Sequence, residues 1–144
     1  MKIIKEILDS KGYQIHSVAP TSTVYEALQK MAQEGIGALI VLDGEELAGI
    51  VSERDYARKI ALLGQSSTDT PVKDIMTANV ICVGSDLGVD ASMSIMSDKH
   101  VRHLVVRDNH KITGVISIGD VVKAIIDDQQ FTIEQLNHYI SGHG

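Results

Sequence analysis

Apolar residues along the chain fall into short runs and helical stripes, and the order in which they do so occurs twice. In the first half, Gln14–Val18 reads as a short strand. Thr23 and Glu26 then form a capping-box signature. Val24, Ala27, Leu28, Met31 and Ala32 follow at the i, i+3, i+4, i+7, i+8 spacing of one helical face. That helix stops near Gly35. Ala38–Leu42 and Leu47–Val51 are apolar strands joined through Asp43-Gly44-Glu45-Glu46, a hairpin signal, and Ser52–Leu63 reads as helix. The second half repeats this plan. Val89, Ser92, Met93 and Met96 form the helix face, Val101–Val106 and Ile112–Ile116 the strands, and Asp108-Asn109-His110-Lys111 the turn.

Residues 15–61 laid on 80–126, an offset of 65, share ten identities, among them Val18/Val83, Met31/Met96, Asp43/Asp108, Gly49/Gly114, Ser52/Ser117 and Asp55/Asp120. Upstream, Ile4-Lys5-Glu6-Ile7-Leu8 parallels Val72-Lys73-Asp74-Ile75-Met76 at an offset of 68, with three extra residues around Gly12 in the first copy. This is a tandem duplication of a strand-helix-strand-strand-helix unit. One copy alone would bury too little surface for independent stability, so the two are expected to pack sheet to sheet about a pseudo-twofold axis. The expected division is repeat one over 1–64, a linker over 65–71, repeat two over 72–128 and a C-terminal helix or tail over 129–144. Asp127-Asp128-Gln129-Gln130 punctuates the last boundary. Thr132 is then the expected cap of a terminal helix presenting Ile133, Leu136 and Ile140 on one face. Such a helix must dock on its own domain or on a partner subunit.

Composition narrows the functional classes. The 144 residues are 44% hydrophobic and 22% charged, as in an ordinary soluble domain, and only 3% aromatic, so the core must be aliphatic. No apolar run approaches the roughly 18 residues of a membrane helix, and the first residues carry an early acid without a cleavage site, unlike a signal peptide. A net charge of −6 argues against general nucleic-acid binding. The single Cys82 excludes an internal disulfide or a cysteine zinc cluster, and within Val80-Ile81-Cys82-Val83 it reads as a small buried hydrophobe. A reducing cytoplasmic setting is the expectation.

The duplicated turn Gly49-Ile50-Val51-Ser52-Glu53-Arg54-Asp55 and Gly114-Val115-Ile116-Ser117-Ile118-Gly119-Asp120 carries the candidate chemistry. Its plain reading is a helix N-cap, with the serine oxygen accepting a first-turn N–H and the glycine serving strand-end geometry or close packing. Its functional reading is a nucleotide site. The N-terminus of a helix suits an anion, the serine hydroxyl can donate to a phosphate, and the aspartate can accept both hydroxyls of a ribose. His100 and His103 lack a third metal ligand nearby. No nucleophile elbow, Walker loop or dinucleotide fingerprint occurs, so no enzyme and no metal site are expected.

The two copies resemble a pair of cystathionine-β-synthase (CBS) domains, the tandem arrangement called a Bateman module. Val72-Lys73-Asp74-Ile75-Met76-Thr77 is similar to the family's opening segment, Val101–Asp108 to its central strand and Gly114–Asp120 to its ligand-binding signature. The resemblance spans about residues 4–128, and a stand-alone module is the expectation. It implies an α/β fold of two β-α-β-β-α repeats and a regulatory homodimer. It also implies clefts between the repeats for AMP, ADP or ATP, with NAD(H) or S-adenosylmethionine as alternatives, as is a ligand-independent assembly module. By position, one site would combine Ser117 and Asp120 with Ile15, His16, Ile36, Gly37 and Ala38. The other would combine Ser52 and Asp55 with Asn79, Ile81, Val101, Arg102 and His103. Arg54, Arg58, Arg102 and His103 make the Asp55 site the expected home of a phosphorylated ligand, although Arg54 and Arg58 also fit a solvated helix face. Where the family often has proline in its central strand, this chain has Ile40 and Val105.

Overall fold

A computed structural model describes residues 2–143, with side-chain surroundings described as far as residue 140. Its elements are α1 (Ile4–Lys11), β1 (Ser17–Val18), α2 (Val24–Glu34), β2 (Ala38–Asp43), β3 (Glu46–Ser52), α3 (Glu53–Tyr56), β4 (Cys82–Val83), α4 (Val89–Lys99), β5 (His103–Asp108), β6 (Lys111–Ser117) and α5 (Ile118–His143). After α3 the chain widens into a π-helical turn over Ala57–Ala61, and Val72–Asp74 is a 3-10 turn. There are two three-stranded sheets, ordered β1-β2-β3 and β4-β5-β6, each with a parallel first pair and an antiparallel hairpin.

The compact units are not the sequence repeats. One comprises residues 2–14 together with 81–143, and the other residues 15–80. Each unit is therefore the body of one repeat plus the opening segment of the other. Inside the first unit, Ile4 N donates to Leu87 O at 2.9 Å and Lys5 N to Ser85 O at 2.8 Å, while Val89 N donates to Lys2 O at 2.9 Å. Inside the second, Val72 N donates to Ser22 O at 2.7 Å, Lys73 N to Pro20 O at 3.0 Å and Val24 N to Thr70 O at 2.9 Å. These are the same three bonds, related by offsets of 68 for the opening segment and 65 for the body.

Apolar side chains follow the same exchange. Ile4, Ile7 and Leu8 join Val89, Met96, Leu104, Val106, Ile116 and Val121 in one core. Val72 and Ile75 join Val24, Ala27, Met31, Leu39, Val41, Val51 and Ile60 in the other. The signature glycines make room for these segments. A Cβ on Gly114 would lie 2.7 Å from Leu8 Cδ2, and one on Gly49 would lie 2.7 Å from the Thr77 carbonyl oxygen and 2.9 Å from Met76 Sδ. Leu8 and Met76 are themselves counterparts at the offset of 68. Close packing is thus the role of these glycines.

The expected strands and hairpins form, with Ala38↔Ser52 and His103↔Ser117 at the ends of their ladders. The second hairpin turns through Asn109 and His110, at φ 51° and 64°, the positive angles a two-residue loop demands. Gly35 ends α2 in the left-handed conformation, and its counterpart His100 does so for α4 at φ 55°. Three expectations change. The first strand is two residues long rather than Gln14–Val18. Cys82 is exposed, because its neighbours Ile81 and Val83 pack against the core and alternation turns residue 82 to the other face. The terminal helix is real but not separate. α5 runs unbroken through Asp127–Gln130, a stretch with neither glycine nor proline to stop it. Thr132 caps nothing; its Oγ1 donates back to Asp128 O at 3.1 Å.

Gly49→Ala is expected to destabilise the fold by about 1–3 kcal/mol through overpacking. Gly114→Ala is expected to cost less, since the end of a leucine side chain yields more readily than a backbone carbonyl. Chemical denaturation of the two variants side by side measures the difference.

Candidate functional site

The duplicated Ser-x-x-Asp turns close two reciprocal capping boxes. At the head of α3, Asp55 N donates to Ser52 Oγ at 3.2 Å while Asp55 Oδ2 accepts from Ser52 N at 2.9 Å. At the head of α5, Asp120 N donates to Ser117 Oγ at 3.1 Å and Asp120 Oδ2 accepts from Ser117 N at 2.8 Å. The plain reading of the motif is therefore realised in full: each pair satisfies two otherwise orphaned N–H groups. That leaves each carboxylate with acceptor capacity to spare at the positive end of a helix.

Each carboxylate also has a lysine, and the two lysines come from opposite sides. Lys59, one turn beyond Asp55 on the same helical stretch, places Nζ 3.4 Å from Asp55 Oδ1 and donates to Ile75 O at 2.8 Å. At the other turn, the counterpart of Lys59 is Ala124. Here Lys11 at the end of α1 supplies the ammonium, donating to Asp120 Oδ2 at 2.7 Å and to Val115 O at 2.9 Å. Both lysines thus tie a signature carboxylate to the exchanged opening segment, Lys59 by reaching toward it and Lys11 by reaching from it. Burial pushes the Asp120 carboxyl upward, but the Lys11 ammonium and the Ser117 N–H outweigh it and hold the group below its ordinary value of 3.8.

Neither lysine was among the residues picked from sequence. Lys59 had a local signal, the i,i+4 spacing from Asp55. Lys11 lies 109 residues from Asp120. Its only trace in the sequence is positional: at the offset of 68 it corresponds to Asn79 of the expected Asp55 site.

The remaining picked residues divide between the two units. Ile15, His16, Gly37, Ala38, Ser52, Arg54, Asp55, Arg58 and Asn79 lie in the unit spanning 15–80. Ile81, Val101, Arg102, His103, Ser117 and Asp120 lie in the other. Within each unit a turn meets the central-strand entrance of its own repeat: Glu53 N donates to Gly37 O at 3.0 Å, and Ile118 N donates to Arg102 O at 2.8 Å. Arg58, Arg102 and Asn79 are exposed, whereas His16 is half-buried with Nε2 3.8 Å from Glu34 Oε2. Among the described residues no group of three or more His, Cys, Asp or Glu could hold a metal ion, and no helix is long and apolar enough to cross a membrane.

Asp120→Asn should flatten the acid limb of the stability curve. A lowered carboxyl contributes stability that is complete above its unfolded value and lost as pH falls through its folded one. Thermal melts from pH 6 down to about pH 2.5 should therefore show the gap between wild type and Asp120→Asn closing below about pH 4.

Comparison with known proteins agrees with this architecture. The CBS domain model matches residues 4–62 and 72–127. The CBS domain-containing protein CBSX3, mitochondrial, of Arabidopsis thaliana is 39% identical over 96% of this chain and 72% of its own length. A putative signal-transduction protein with CBS domains from Burkholderia ambifaria is 47% identical, with a TM-score of 0.85, over 92% of this chain and 99% of that one. The CBS domain pair of protein MJ0100, solved with 5′-methylthioadenosine and S-adenosyl-L-methionine, shares the fold at 23% identity and a TM-score of 0.76, over 89% of this chain and 98% of that one. Two duplicated capping turns, exchanged opening segments and these likenesses together establish that the chain belongs to the CBS-domain family, with two copies in tandem.

Proposed function

We propose that this CBS pair is a non-catalytic sensor that binds an adenosine-containing nucleotide, AMP, ADP or ATP, and signals by shifting the population of its conformations. The observation that carries the reading is the duplicated capping box, in which a serine hydroxyl and an aspartate with spare acceptor capacity sit together at a helix N-terminus. A carboxylate there suits a neutral cis-diol, and the helix end and serine suit the phosphate that follows it. The Asp55 site is the stronger of the two, built from Ser52, Arg54, Asp55, Arg58 and Asn79. The weaker is built on Ser117 and Asp120. The complex of the MJ0100 pair, a likeness of fold alone, keeps S-adenosylmethionine as the second reading. A cytoplasmic setting belongs to the same reading.

Assembly as a homodimer belongs to the same reading. Val122, Ile126, Gln129, Ile133, Leu136 and Ile140 recur along α5 at alternating spacings of four and three, a coiled-coil seam with isoleucine at one position and valine, glutamine and leucine in turn at the other. Ile126, Phe131, Ile133, Leu136, Tyr139 and Ile140 are each more than half exposed. A second copy would cover this face.

Thermal-shift titration with AMP, ATP, NADH and S-adenosylmethionine tests the ligand. One adenine nucleotide should stabilise the fold by about 2.7 kcal/mol at a hundredfold excess over its Kd. Asp55→Ala should remove most of that gain. No stabilisation by any of the four would sink the sensor reading, and turnover of one would replace it with an enzyme. Sedimentation equilibrium tests assembly: the wild type should run as a dimer and Leu136→Glu/Ile140→Glu as a monomer.

A further inference from the structure

The two signature carboxylates are similar in sequence but engaged by different chemistry. Asp55 Oδ2 is held by two donors of its own box, the backbone N–H of Ser52 at 2.9 Å and the Ser52 hydroxyl at 3.0 Å. The hydroxyl can rotate away, and Lys59 is only loosely placed at 3.4 Å on Oδ1. Asp120 Oδ2, by contrast, holds the Ser117 N–H and the Lys11 ammonium at 2.7 Å. Lys11 is pinned a second time by the Val115 carbonyl. A cis-diol that bridges a carboxylate donates one hydrogen bond to each oxygen. On Asp55 Oδ2 a hydroxyl rotation opens the second place beside the Ser52 N–H; on Asp120 Oδ2 the Lys11 ammonium holds that place, so both oxygens become available to a diol only when an ion pair breaks.

We propose that Lys11 is an internal competitor for Asp120, a specificity-determining residue that keeps this carboxylate from accepting ribose hydroxyls until the ammonium moves away. The inference rests on the nucleotide-sensor reading and extends it by giving the weaker site a cause. Space for the displaced side chain exists. Lys11 and Asp120 line a groove of about 150 Å³ between α1 and α5 that also carries Glu6 and Asp127. Lys2 and Lys123 line it as well, so the displaced ammonium would enter a groove of mixed charge. Because Lys11 ends α1, ligand entry at Asp120 would also loosen a polar tie between α1 and β6, so the weaker site is the one that reports on the exchanged segment. At the Asp55 turn the corresponding tie, Lys59 to Ile75 O, is made by a lysine whose ion pair, at 3.4 Å, is with the other carboxylate oxygen and longer than that of Lys11. It can persist with ligand bound.

The test isolates the Asp120 site in an Asp55→Ala background and uses AMP and ATP as probes in titration calorimetry. Asp55→Ala/Lys11→Met should bind about tenfold more tightly than Asp55→Ala, equivalent to about 1.4 kcal/mol. Asp55→Ala/Lys11→Arg, which keeps the charge, should show no such gain. Equal or weaker binding in the methionine variant overturns the proposal, weaker binding meaning that Lys11 is instead a ligand contact. If wild type binds and the methionine variant shows no gain, the competitor role falls while the sensor reading stands. If no form binds either probe, both fall. Should the methionine variant fail to fold, the wild type still decides. The Lys11 side-chain nitrogen resonance should move as ligand titrates the second site, and a resonance unmoved at saturation overturns the proposal.

Discussion

Everything else in this molecule depends on the reciprocal exchange of opening segments. Residues 2–14 complete the core built around the second repeat's sheet, and the segment after the linker completes the first. Each exchange is secured by the same three backbone hydrogen bonds and the same glycine vacancy. The energetic logic is that of a small repeat with one helical layer too few. A three-stranded sheet covered by two short helices leaves apolar positions such as Ile116 and Val51 in need of a partner, and burying them is worth about 1.5–3 kcal/mol per side chain. Supplying that partner from the other repeat makes the folding of either unit contingent on both stretches of chain.

The signature turn shows how a binding feature can be embedded in a structural one. Ser52–Asp55 and Ser117–Asp120 satisfy helix N-termini, an ordinary task that any Ser-x-x-Asp could perform. What distinguishes them is placement. Each stands at the end of a strand ladder, beside the entrance of the central strand and against the exchanged segment. The glycine three residues before the serine admits that segment, and a lysine ties it to the carboxylate. Core packing, capping and the candidate chemistry thus share seven residues, and change at one is felt by the other two.

Much of this was legible in the sequence because it is local. Helical stripes, the Asp43-Gly44 and Asn109-His110 turns, and the Gly35 stop are decided by neighbours within a few residues. The tandem repeat itself was visible as matching positions. Three features were not legible, for three physical reasons. The exchange of segments is a choice between two docking surfaces that are nearly alike in sequence, so pattern alone does not say which one Ile4 and Leu8 will cover. The exposure of Cys82 depends on which face of a two-residue strand meets the core, which a uniformly apolar run conceals. The continuity of α5 turned on Asp127–Gln130, where polar residues suggested a break although their helical propensities permit none. The lysines leave no mark in the repeat pattern, because Lys11 and Lys59 serve similar carboxylates from dissimilar positions.

The exchange has a consequence for how such a chain can be inherited. A gene break in the segment around Gly64–Pro71 would not release two autonomous domains but two fragments, each carrying the other's missing wall. A fragment of this kind would close its core by trading opening segments, with the other fragment or with a second copy of itself. The tandem pair is, in this light, a segment-swapped dimer whose two partners have been fused end to end, free thereafter to let their two sites diverge.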